Sequence, residues 1–243
     1  MGFLQKYLSI CAFIPVTSAG YFDSAIFVVN LDRATERRQH IEHQFKKVRL
    51  DFTRYPAVDG KTLDINHLID AGILQLWPER LDRMLTLGEV GNYLSHRAIW
   101  LEIARQKLEI AVVLEDDVIL ESDFAAKLEK ALSEVPQDWD ALYLGCHIDD
   151  FWGCNPSRLK STPDKKFVIM DETGTAGNYA YVLNWRSAEK LYKNSLPMIE
   201  PTDHFIQTHM LAKGSNFKSY CTNPEVVKVN YDIGSDIKEM GRP

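Results

Sequence analysis

The sequence alternates short apolar runs with longer amphipathic stretches, and this alternation constrains the fold more than any other feature. The apolar runs are typical of strands, and they cover residues 25–30, 52–58, 110–114, 141–144, 167–170 and 179–183. The stretches between them predict helices over 32–47, 64–76, 86–106 and 122–132, with Ser187 and Thr202 as the caps of two more. Strands that alternate with helices predict an α/β fold with a central, mostly parallel sheet.

Length and charge narrow the class of protein. The chain has 243 residues and a net charge of −6, from 28 Lys plus Arg against 34 Asp plus Glu. An acidic balance argues against a protein that binds nucleic-acid phosphates, which requires a basic surface. We expect an N-terminal apolar segment over 1–24, read either as a weak secretory signal or as a docking segment, and one domain over 25–243.

The four cysteines are Cys11, Cys146, Cys154 and Cys221. None of them forms a C-x-x-C motif, and their spacing suggests neither a zinc site nor a disulfide framework. The spacing therefore predicts reduced thiols in a cytoplasmic protein.

The run IAVVLEDDVIL, residues 110–120, ends an apolar strand in three consecutive carboxylates, Glu115, Asp116 and Asp117. In open α/β sheets, ligands bind beyond the carboxyl ends of the strands. Adjacent carboxylates repel one another and are costly to desolvate, and a hard cation such as Mg²⁺ or Mn²⁺ offsets that cost together with substrate phosphates. The alternative is an acidic turn that faces solvent.

Four strings that occur in order around this triplet carry a family resemblance: IFVVNLDRATERR (26–38), AVDG (57–60), LTLGEVGNYLSHRAIW (85–100) and VVLEDDVIL (112–120). Together they resemble glycosyltransferase family 25, the lipooligosaccharide galactosyltransferases of bacteria and their procollagen galactosyltransferase relatives. The resemblance spans residues 25 to 210. It implies a GT-A-like fold in which Glu115, Asp116 and Asp117 form the DxD-like metal motif.

The resemblance also implies the reaction. A sugar, with galactose favoured, would pass from a UDP-sugar to a hydroxyl of a lipooligosaccharide or other cell-surface glycan, with inversion and with Mn²⁺ or Mg²⁺ as cofactor. We expect Asp117 to bind the metal directly, Asp116 to lie nearer the ribose or a metal-bound water, and Glu115 to support them. A glycolipid acceptor would bring a cytoplasmic enzyme to the inner face of the membrane as a peripheral protein, although the N-terminal segment leaves secretion open.

Residues near the first strand are expected to contact the donor nucleotide. Asn30 and Asp32 end that strand, where the resemblance places the base and ribose. Arg33 and Arg37 lie one helical turn apart, so they share a face and are suited to bidentate contact with a diphosphate. The alternative is a solvated basic helix face. Asp59 begins a tight turn, which the resemblance places near the donor.

The motif TLGE at residues 86–89 has the form of a helix capping box, with Glu89 as the residue that pairs with Thr86. Glu89 and His96 are seven residues apart and therefore lie on one helix face. We expect both to line the donor pocket. The alternatives are a Glu89 that only completes the capping box and a His96 that is a hydrogen-bonded core histidine.

An inverting transferase needs a carboxylate that takes a proton from the acceptor, and the triplet is committed to the donor. Asp203, in PTDHFIQTHM (201–210), is our candidate, because the start of a helix favours an ionised carboxylate. Asp203 can also serve only to stabilise the first helical turn. Glu172, with its neighbour Asp171, is the second candidate for the base.

Two other classes of function stay open at this stage. The same carboxylates can serve a metal-dependent phosphoester hydrolase or phosphotransferase. A chain with this fold can also be a non-catalytic protein that binds glycans without turnover. Incubation with UDP-sugars, with and without acceptor, separates these classes.

Overall fold

The structure of the protein is a computed structural model, and it describes residues 25–75, 83–146, 154–171, 177–206, 210–212 and 214–234. The predicted N-terminal segment over 1–24 and the candidate base Glu172 lie outside the described residues.

Nine strands make up two sheets in the described ranges. They are β1 (Ala25–Asn30), β2 (Thr53–Pro56), β3 (Ala111–Glu115), β4 (Val118–Leu120), β5 (Ala141–Gly145), β6 (Phe167–Ile169), β7 (Ala180–Leu183), β8 (Ser219–Thr222) and β9 (Val227–Val229). Seven of them form the central sheet in the order β2-β1-β3-β7-β5-β8-β6, and β4 pairs with β9 in a small second sheet. All six strands predicted from the apolar runs are present.

The direction of the strands gives the fold class. Strand β1 is parallel to β2 and β3, and β5 is parallel to β8. Strand β7 is antiparallel to both β3 and β5, and β6 is antiparallel to β8. Five of the seven strands in the described sheet therefore point the same way. The predicted α/β fold with a central, mostly parallel sheet is confirmed.

Helices cover both faces of the sheet. The described helices are α1 (Thr35–Val48), α2 (Ile65–Asp70), α3 (Leu87–Gln106), α4 (Phe124–Glu134), α5 (Trp185–Asn194) and the short α6 (Thr202–His204). The side chains of β3 alternate between two cores, because successive residues of a strand point to opposite faces. Ala111 and Val113 join the core under α3 and α5, whereas Val112 and Leu114 join the core under α1 and α4.

The position of α3 is fixed at its first turns. The predicted capping box is present, since Thr86 accepts from the Glu89 amide and the Glu89 carboxylate accepts from the Thr86 amide. The 3₁₀ turn Gly60–Thr62 packs directly on this helix. A Cβ on Gly60 would lie 1.9 Å from the Leu87 carbonyl oxygen, and one on Gly91 would lie 2.5 Å from the Val58 oxygen. Only glycine allows this approach, which sets which helix face meets the sheet.

Several predicted boundaries are wrong for local reasons. Of the predicted helix over 64–76, residues 64–75 are described, and in them the helix covers Ile65–Asp70, because Gly72 has a φ of 67° and ends it. Helix α5 is capped by Asn184, whose side chain accepts from the Ser187 amide, rather than by Ser187. The residue that caps α6 is Pro201, and Thr202 is already helical. Ordinary helix-end ambiguity accounts for one-residue differences.

The cysteines differ from the prediction of reduced thiols. Cys146 and Cys154 form a disulfide that closes the loop between them, and Cys221 is a buried free cysteine. The prediction was wrong because the sequence spacing does not show that the end of β5 meets residue 154. The Cys221 Sγ atom lies 4.0 Å from that of Cys146. Burial raises the pKa of the Cys221 thiol, with a smaller effect from Glu225, so this thiol stays protonated.

We expect the disulfide to stabilise the protein. A crosslink that closes a loop this short contributes about 2 to 3 kcal/mol by restricting the unfolded chain. Reduction should therefore lower the free energy of unfolding, measured by urea denaturation, and the double variant Cys146→Ser, Cys154→Ser should be insensitive to the reductant. Alkylation in denaturant without reductant should label Cys221 but not the pair. Labelling of Cys146 or Cys154 under those conditions would rule the disulfide out.

Among the helices of the described ranges, none combines the length and the apolar character that crossing a membrane requires.

Candidate active site

The acidic triplet lies where the chain leaves the central sheet. Glu115 is the last residue of β3, and Asp116 and Asp117 form the turn into β4. Strand β4 pairs with β9, and the Asn230 amide donates to the Asp117 carbonyl oxygen at 2.7 Å. The triplet is thus held from both sides, by the carboxyl end of β3 and by the segment after β9.

Asp116 is fully engaged by its neighbours. Its Oδ2 accepts from the Asn30 Nδ2 at 2.6 Å, and its Oδ1 accepts from the Arg37 Nε at 2.7 Å. Asn30 in turn accepts through its Oδ1 from the Arg54 Nε at 2.8 Å. The end of β1 therefore fixes the orientation of the Asp116 carboxylate.

Arg37 provides the positive charge closest to the triplet. Its Nη2 atom lies 2.6 Å from Asp116 Oδ1 and 2.9 Å from Asp117 Oδ2, and its Nη1 donates to the Gly234 carbonyl oxygen at 3.0 Å. Burial alone would lower the pKa of Arg37, but the charges of Asp116 and Asp117 outweigh it and raise the pKa. The guanidinium partly neutralises two carboxylates instead of facing open solvent.

Asp117 has one carboxylate oxygen, Oδ1, with no hydrogen-bond partner among the described residues, and we call it the open oxygen. Asp117 is 8% exposed, and the Oδ1 atom itself is buried. Burial, followed by the charge of Glu115, raises the pKa of Asp117 to about 7, although Arg37 lowers it in part. A buried carboxylate oxygen without a partner carries a free-energy cost that a bound cation or proton would remove.

These residues fit a divalent cation of the Mg²⁺ or Mn²⁺ type. Both ions prefer carboxylate oxygens, and Mg²⁺ is commonly held by one or two carboxylates while substrate phosphates and waters complete its shell. Asp117 offers the open oxygen, and its other oxygen shares Arg37 with Asp116. In the described ranges the three carboxylates of the triplet do not gather tightly enough to form a three-ligand cluster. The arrangement therefore suits a site that the substrate completes.

The raised pKa of Asp117 predicts a pH dependence of stability in the absence of divalent ions. The ordinary pKa of this carboxyl is 3.8, so between that pH and about pH 7 Asp117 holds a proton in the folded state that it has lost in the unfolded state. The contribution of Asp117 to the free energy of unfolding therefore falls as pH rises through this range, by up to about 1.4 kcal/mol per pH unit. We expect wild type in chelator to lose more unfolding free energy than Asp117→Asn between about pH 5 and about pH 7. Parallel urea-denaturation profiles of the two proteins would contradict this assignment.

Glu115 faces inward and contacts α3. Its Oε1 accepts from the Asn92 Nδ2 at 3.0 Å and lies 3.5 Å from the His96 Nε2. Burial would raise the pKa of Glu115, but His96, Asn92 and Arg37 together outweigh burial and lower it. Two successive turns of α3 thus hold this carboxylate in its ionised form.

His96 is buried beneath the triplet and does not line the pocket described below. It is 0% exposed, and its Nδ1 lies 2.8 Å from the Tyr181 hydroxyl. The oxygen of that hydroxyl accepts from the Trp100 Nε1 at 3.0 Å. The tautomer that best suits these contacts has a protonated Nε2 facing Glu115 and an Nδ1 that accepts from Tyr181. This placement matches the core-histidine alternative, in contact with a triplet carboxylate.

A pocket of about 460 Å³ opens in front of Glu115 and Asp117. This volume is in the range of small-molecule sites. The lining residues come from α3 and the segment before it, from the triplet and from three later segments: Arg83, Glu89, Asn92, Glu115, Asp117, Gly177, Asn178, Tyr179, Pro201, Thr202, Asp203, His204, Val229, Asn230, Tyr231 and Gly234. The chain thus brings two of its three candidate metal ligands, Glu115 and Asp117, and its candidate base Asp203 to one cavity, whereas Asp116 is absent from the lining.

Asp203 lines this pocket and is held in place by backbone groups. Its Oδ2 accepts from the Gly177 amide at 2.9 Å, and its Oδ1 accepts from the His204 amide at 3.0 Å. Helix α6 has only three residues, so the expected helix-dipole effect is small. Asp171 is exposed and is absent from the pocket lining.

Other predicted donor residues form pairs at the edge of the triplet. Arg33 contacts Asp59 through a hydrogen bond of 2.8 Å, and Arg54 contacts Asp32. Arg33 and Arg37 therefore do not converge on one point, because Arg33 precedes α1 and turns to Asp59. Glu89 lines the pocket while it also completes the capping box and pairs with Arg83 at 2.7 Å.

Sequence reasoning missed three pocket residues that come from separate segments. Asn92 precedes His96 by one helical turn, which is a signal that helical spacing could have given. Arg83 lies just before the capping box, and Tyr231 follows β9 in a 3₁₀ turn. Tyr231 is 72% exposed at the pocket rim, and no pattern in the sequence distinguishes it from a surface tyrosine.

A comparison with protein-family models identifies the chain. The model described as Glycosyltransferase family 25 (LPS biosynthesis protein) matches residues 23–206. The chain belongs to glycosyltransferase family 25. The matched range includes the triplet, all of α3 and Asp203.

Curated relatives in glycosyltransferase family 25 agree with this assignment. The chain is 37% identical over 193 residues to Procollagen galactosyltransferase 1-B of Xenopus laevis, covering 74% of this chain and 30% of that protein. It is 32% identical over 195 residues to a Glycosyltransferase 25 family member of Aedes aegypti, covering 75% and 30%. It is also 32% identical over 195 residues to Probable inactive glycosyltransferase 25 family member 3 of Bos taurus, covering 74% and 31%. The chain spans about a third of the length of these relatives.

Proposed function

We propose that this member of glycosyltransferase family 25 transfers galactose from a UDP-sugar to a hydroxyl of a glycan, with inversion at the anomeric carbon. The observation that carries the proposal is that Asp117, with an open buried oxygen, and Asp203 line the same pocket. A donor diphosphate and an acceptor hydroxyl need these two kinds of carboxylate. The name of the relative in Xenopus laevis supports galactose as the sugar.

The proposed reaction gives each carboxylate one role. Asp203 takes the proton of the acceptor hydroxyl while the acceptor oxygen forms a bond to the anomeric carbon of the sugar. The bond from that carbon to the diphosphate oxygen breaks, and the electron pair leaves with UDP. Attack opposite to the leaving group inverts the anomeric configuration in a single displacement.

The triplet serves the leaving group. Asp117, with Asp116 beside it, would hold a Mn²⁺ or Mg²⁺ ion, which supplies Lewis-acid stabilisation of the diphosphate. Glu115 stays bonded to α3 and orients the end of β3. Arg37 screens the repulsion between Asp116 and Asp117, which keeps both carboxylates close while the donor is absent.

The nucleotide is expected beside the end of β1. Asn30 and Asp32 lie there with Arg54, and the Arg33–Asp59 pair borders the same strand end. This arrangement supports the expectation that ribose and base contact this side, while the sugar enters the pocket in front of Asp117.

A donor panel with mass-spectrometric detection tests the proposal. The protein is incubated with Mn²⁺ and with UDP-galactose, UDP-glucose or UDP-N-acetylglucosamine. Lipooligosaccharide and collagen peptides serve as acceptors, since the family description and the relatives' names point to these two classes. We expect a product heavier by one hexose, from UDP-galactose above the others.

The same panel separates the rival functions. Release of sugar or phosphate from the donor at a rate independent of acceptor would favour a hydrolase. Binding of glycan without any turnover or donor binding would favour a non-catalytic protein, as the name of the relative in Bos taurus suggests for that protein. The first outcome and the second outcome each contradict the transferase proposal.

A further inference from the structure

Asn92 connects the donor side of the pocket to the acceptor side through two hydrogen bonds. Its Nδ2 donates to Glu115 Oε1 at 3.0 Å, and its Oδ1 accepts from the Thr202 Oγ1 at 2.9 Å. Glu115 belongs to the triplet, and Thr202 immediately precedes Asp203. One short side chain of α3 therefore touches both carboxylate-bearing segments.

The orientation of the Asn92 amide is determined by its partners. In the structure the amide nitrogen donates to Glu115 Oε1. The oxygen must then face Thr202, whose hydroxyl donates to it. The flipped amide would place its oxygen against a carboxylate, which is repulsive, so the bridge has a single stable arrangement.

The bridge is supported on both ends. Thr202 is 3% exposed and its neighbour Asp203 is bonded to the Gly177 amide, so a shift of Thr202 would move the candidate base. Helix α3 is fixed by its capping box and by the contact of Gly60 with Leu87. Asn92 thus lies within about two turns of the capped end of α3, where these contacts fix the helix.

We propose that Asn92 is a positioning residue that sets the distance between the triplet and Asp203. This inference rests on the proposed function and extends it to a residue with no assigned role. In a single displacement the acceptor oxygen, the anomeric carbon and the leaving oxygen must be aligned, and small misplacements lower the rate of the chemical step. Asn92 holds residues next to the groups that act at the two ends of that line, since Glu115 is two residues before Asp117 and Thr202 directly precedes Asp203.

Replacement of Asn92 or of its partner tests the inference through kcat and KM. Asn92→Ala removes both hydrogen bonds of the bridge and Thr202→Val removes the one to Thr202, and we expect each variant to lower kcat by about 10- to 100-fold, the usual scale for residues that support a ligand. The KM for the donor should change less than kcat. Thr202→Ser keeps the hydroxyl and should restore most of the activity.

The combined variant Asn92→Ala, Thr202→Val gives a second readout. Because both changes break one bridge, the double variant should lose no more kcat than the more impaired single variant. Independent losses that multiply would show that the two residues act separately and would overturn the proposal.

Tyr93→Phe is the matched control. Tyr93 is the next residue of α3, is buried, and donates from its hydroxyl to the Ser195 carbonyl oxygen at 2.9 Å, away from the pocket lining. We expect Tyr93→Phe to lower the melting temperature and to leave kcat near that of wild type. An Asn92→Ala variant with the kcat of Tyr93→Phe would overturn the proposal. If Asn92→Ala does not fold, Thr202→Val decides in the same way.

The failure of this inference is distinguishable from failure of the proposed function. Wild-type protein that neither transfers sugar nor binds UDP with Mn²⁺, measured by calorimetry, would overturn both. Active wild-type protein with unchanged kcat in Thr202→Val and Asn92→Ala would overturn only the role of Asn92.

Discussion

Asp117→Asn should abolish sugar transfer and should weaken UDP binding only when Mn²⁺ is present. The variant keeps the size of the side chain but removes the negative charge that a divalent cation needs. Asp117 carries the open buried oxygen of the triplet, whereas both oxygens of Asp116 already have protein partners. Loss of Lewis-acid stabilisation of the diphosphate should therefore be concentrated in this one substitution.

Calorimetric titration with UDP, in Mn²⁺ and in excess chelator, measures the effect. Wild type should bind UDP more tightly in Mn²⁺ than in chelator, and Asp117→Asn should show the same weak binding in both. Asp123→Asn is the control, because Asp123 is 56% exposed by its side chain and pairs with Lys127 at 3.1 Å on the surface. Full transfer by Asp117→Asn, or full transfer by wild type in chelator, would show that the triplet does not act through a metal.

The melting temperature of the variant separates chemistry from folding. In chelator, Asp117→Asn should be at least as stable as wild type near neutral pH, since it removes a buried carboxylate whose pKa is raised to about 7. A loss of activity without a loss of stability is therefore the expected combination.

The central strands could be predicted from the sequence because each of them is marked by its own run of apolar residues. Strands β1 and β3 are almost entirely buried, and both are mainly apolar runs that include β-branched residues. Strands β8 and β9, with the sequences SYCT and VKV, carry no such signal. They become strands because β5 and β4 pair with them, which is a long-range effect.

Residues of the site that a single strand end supplies could be predicted from the sequence. The rule that ligands lie beyond the carboxyl ends of parallel strands places the triplet at a site from the sequence alone. Asn92 and Tyr231 could not be found in that way, because their positions depend on other elements. Asn92 faces Glu115 only because the contact between Gly60 and Leu87 fixes how α3 packs.

The position of Arg37 shows a further limit of spacing arguments. One helical turn separates Arg33 from Arg37, which predicted a shared face. Arg33 instead lies before α1, and the cap residue Ala34 between them is not helical, with a φ of −84° and a ψ of 63°. Arg33 forms a salt bridge with Asp59, whereas Arg37 forms one with Asp116 of the buried triplet. Charge partners that are distant in sequence decided where both side chains point.

Asp203→Asn should lower kcat by about two orders of magnitude or more, the usual scale for loss of a general base. The substitution keeps the shape of the side chain and one oxygen that can accept from the Gly177 or His204 amide, so the pocket wall should stay in place. Binding of the UDP-sugar should remain near normal, because the proposed donor contacts lie on the triplet and at the end of β1. The expected signature is therefore a fall in kcat with little change in the KM for the donor and in the melting temperature.

Single-turnover transfer with saturating donor and acceptor measures this effect directly. Asp171→Asn and Glu172→Gln are made in parallel, since these neighbouring carboxylates were the other sequence candidates for the base. Asp171 is exposed and outside the pocket lining, so we expect Asp171→Asn to retain activity. Near-wild-type turnover in Asp203→Asn together with an inactive Glu172→Gln would move the base to the earlier segment.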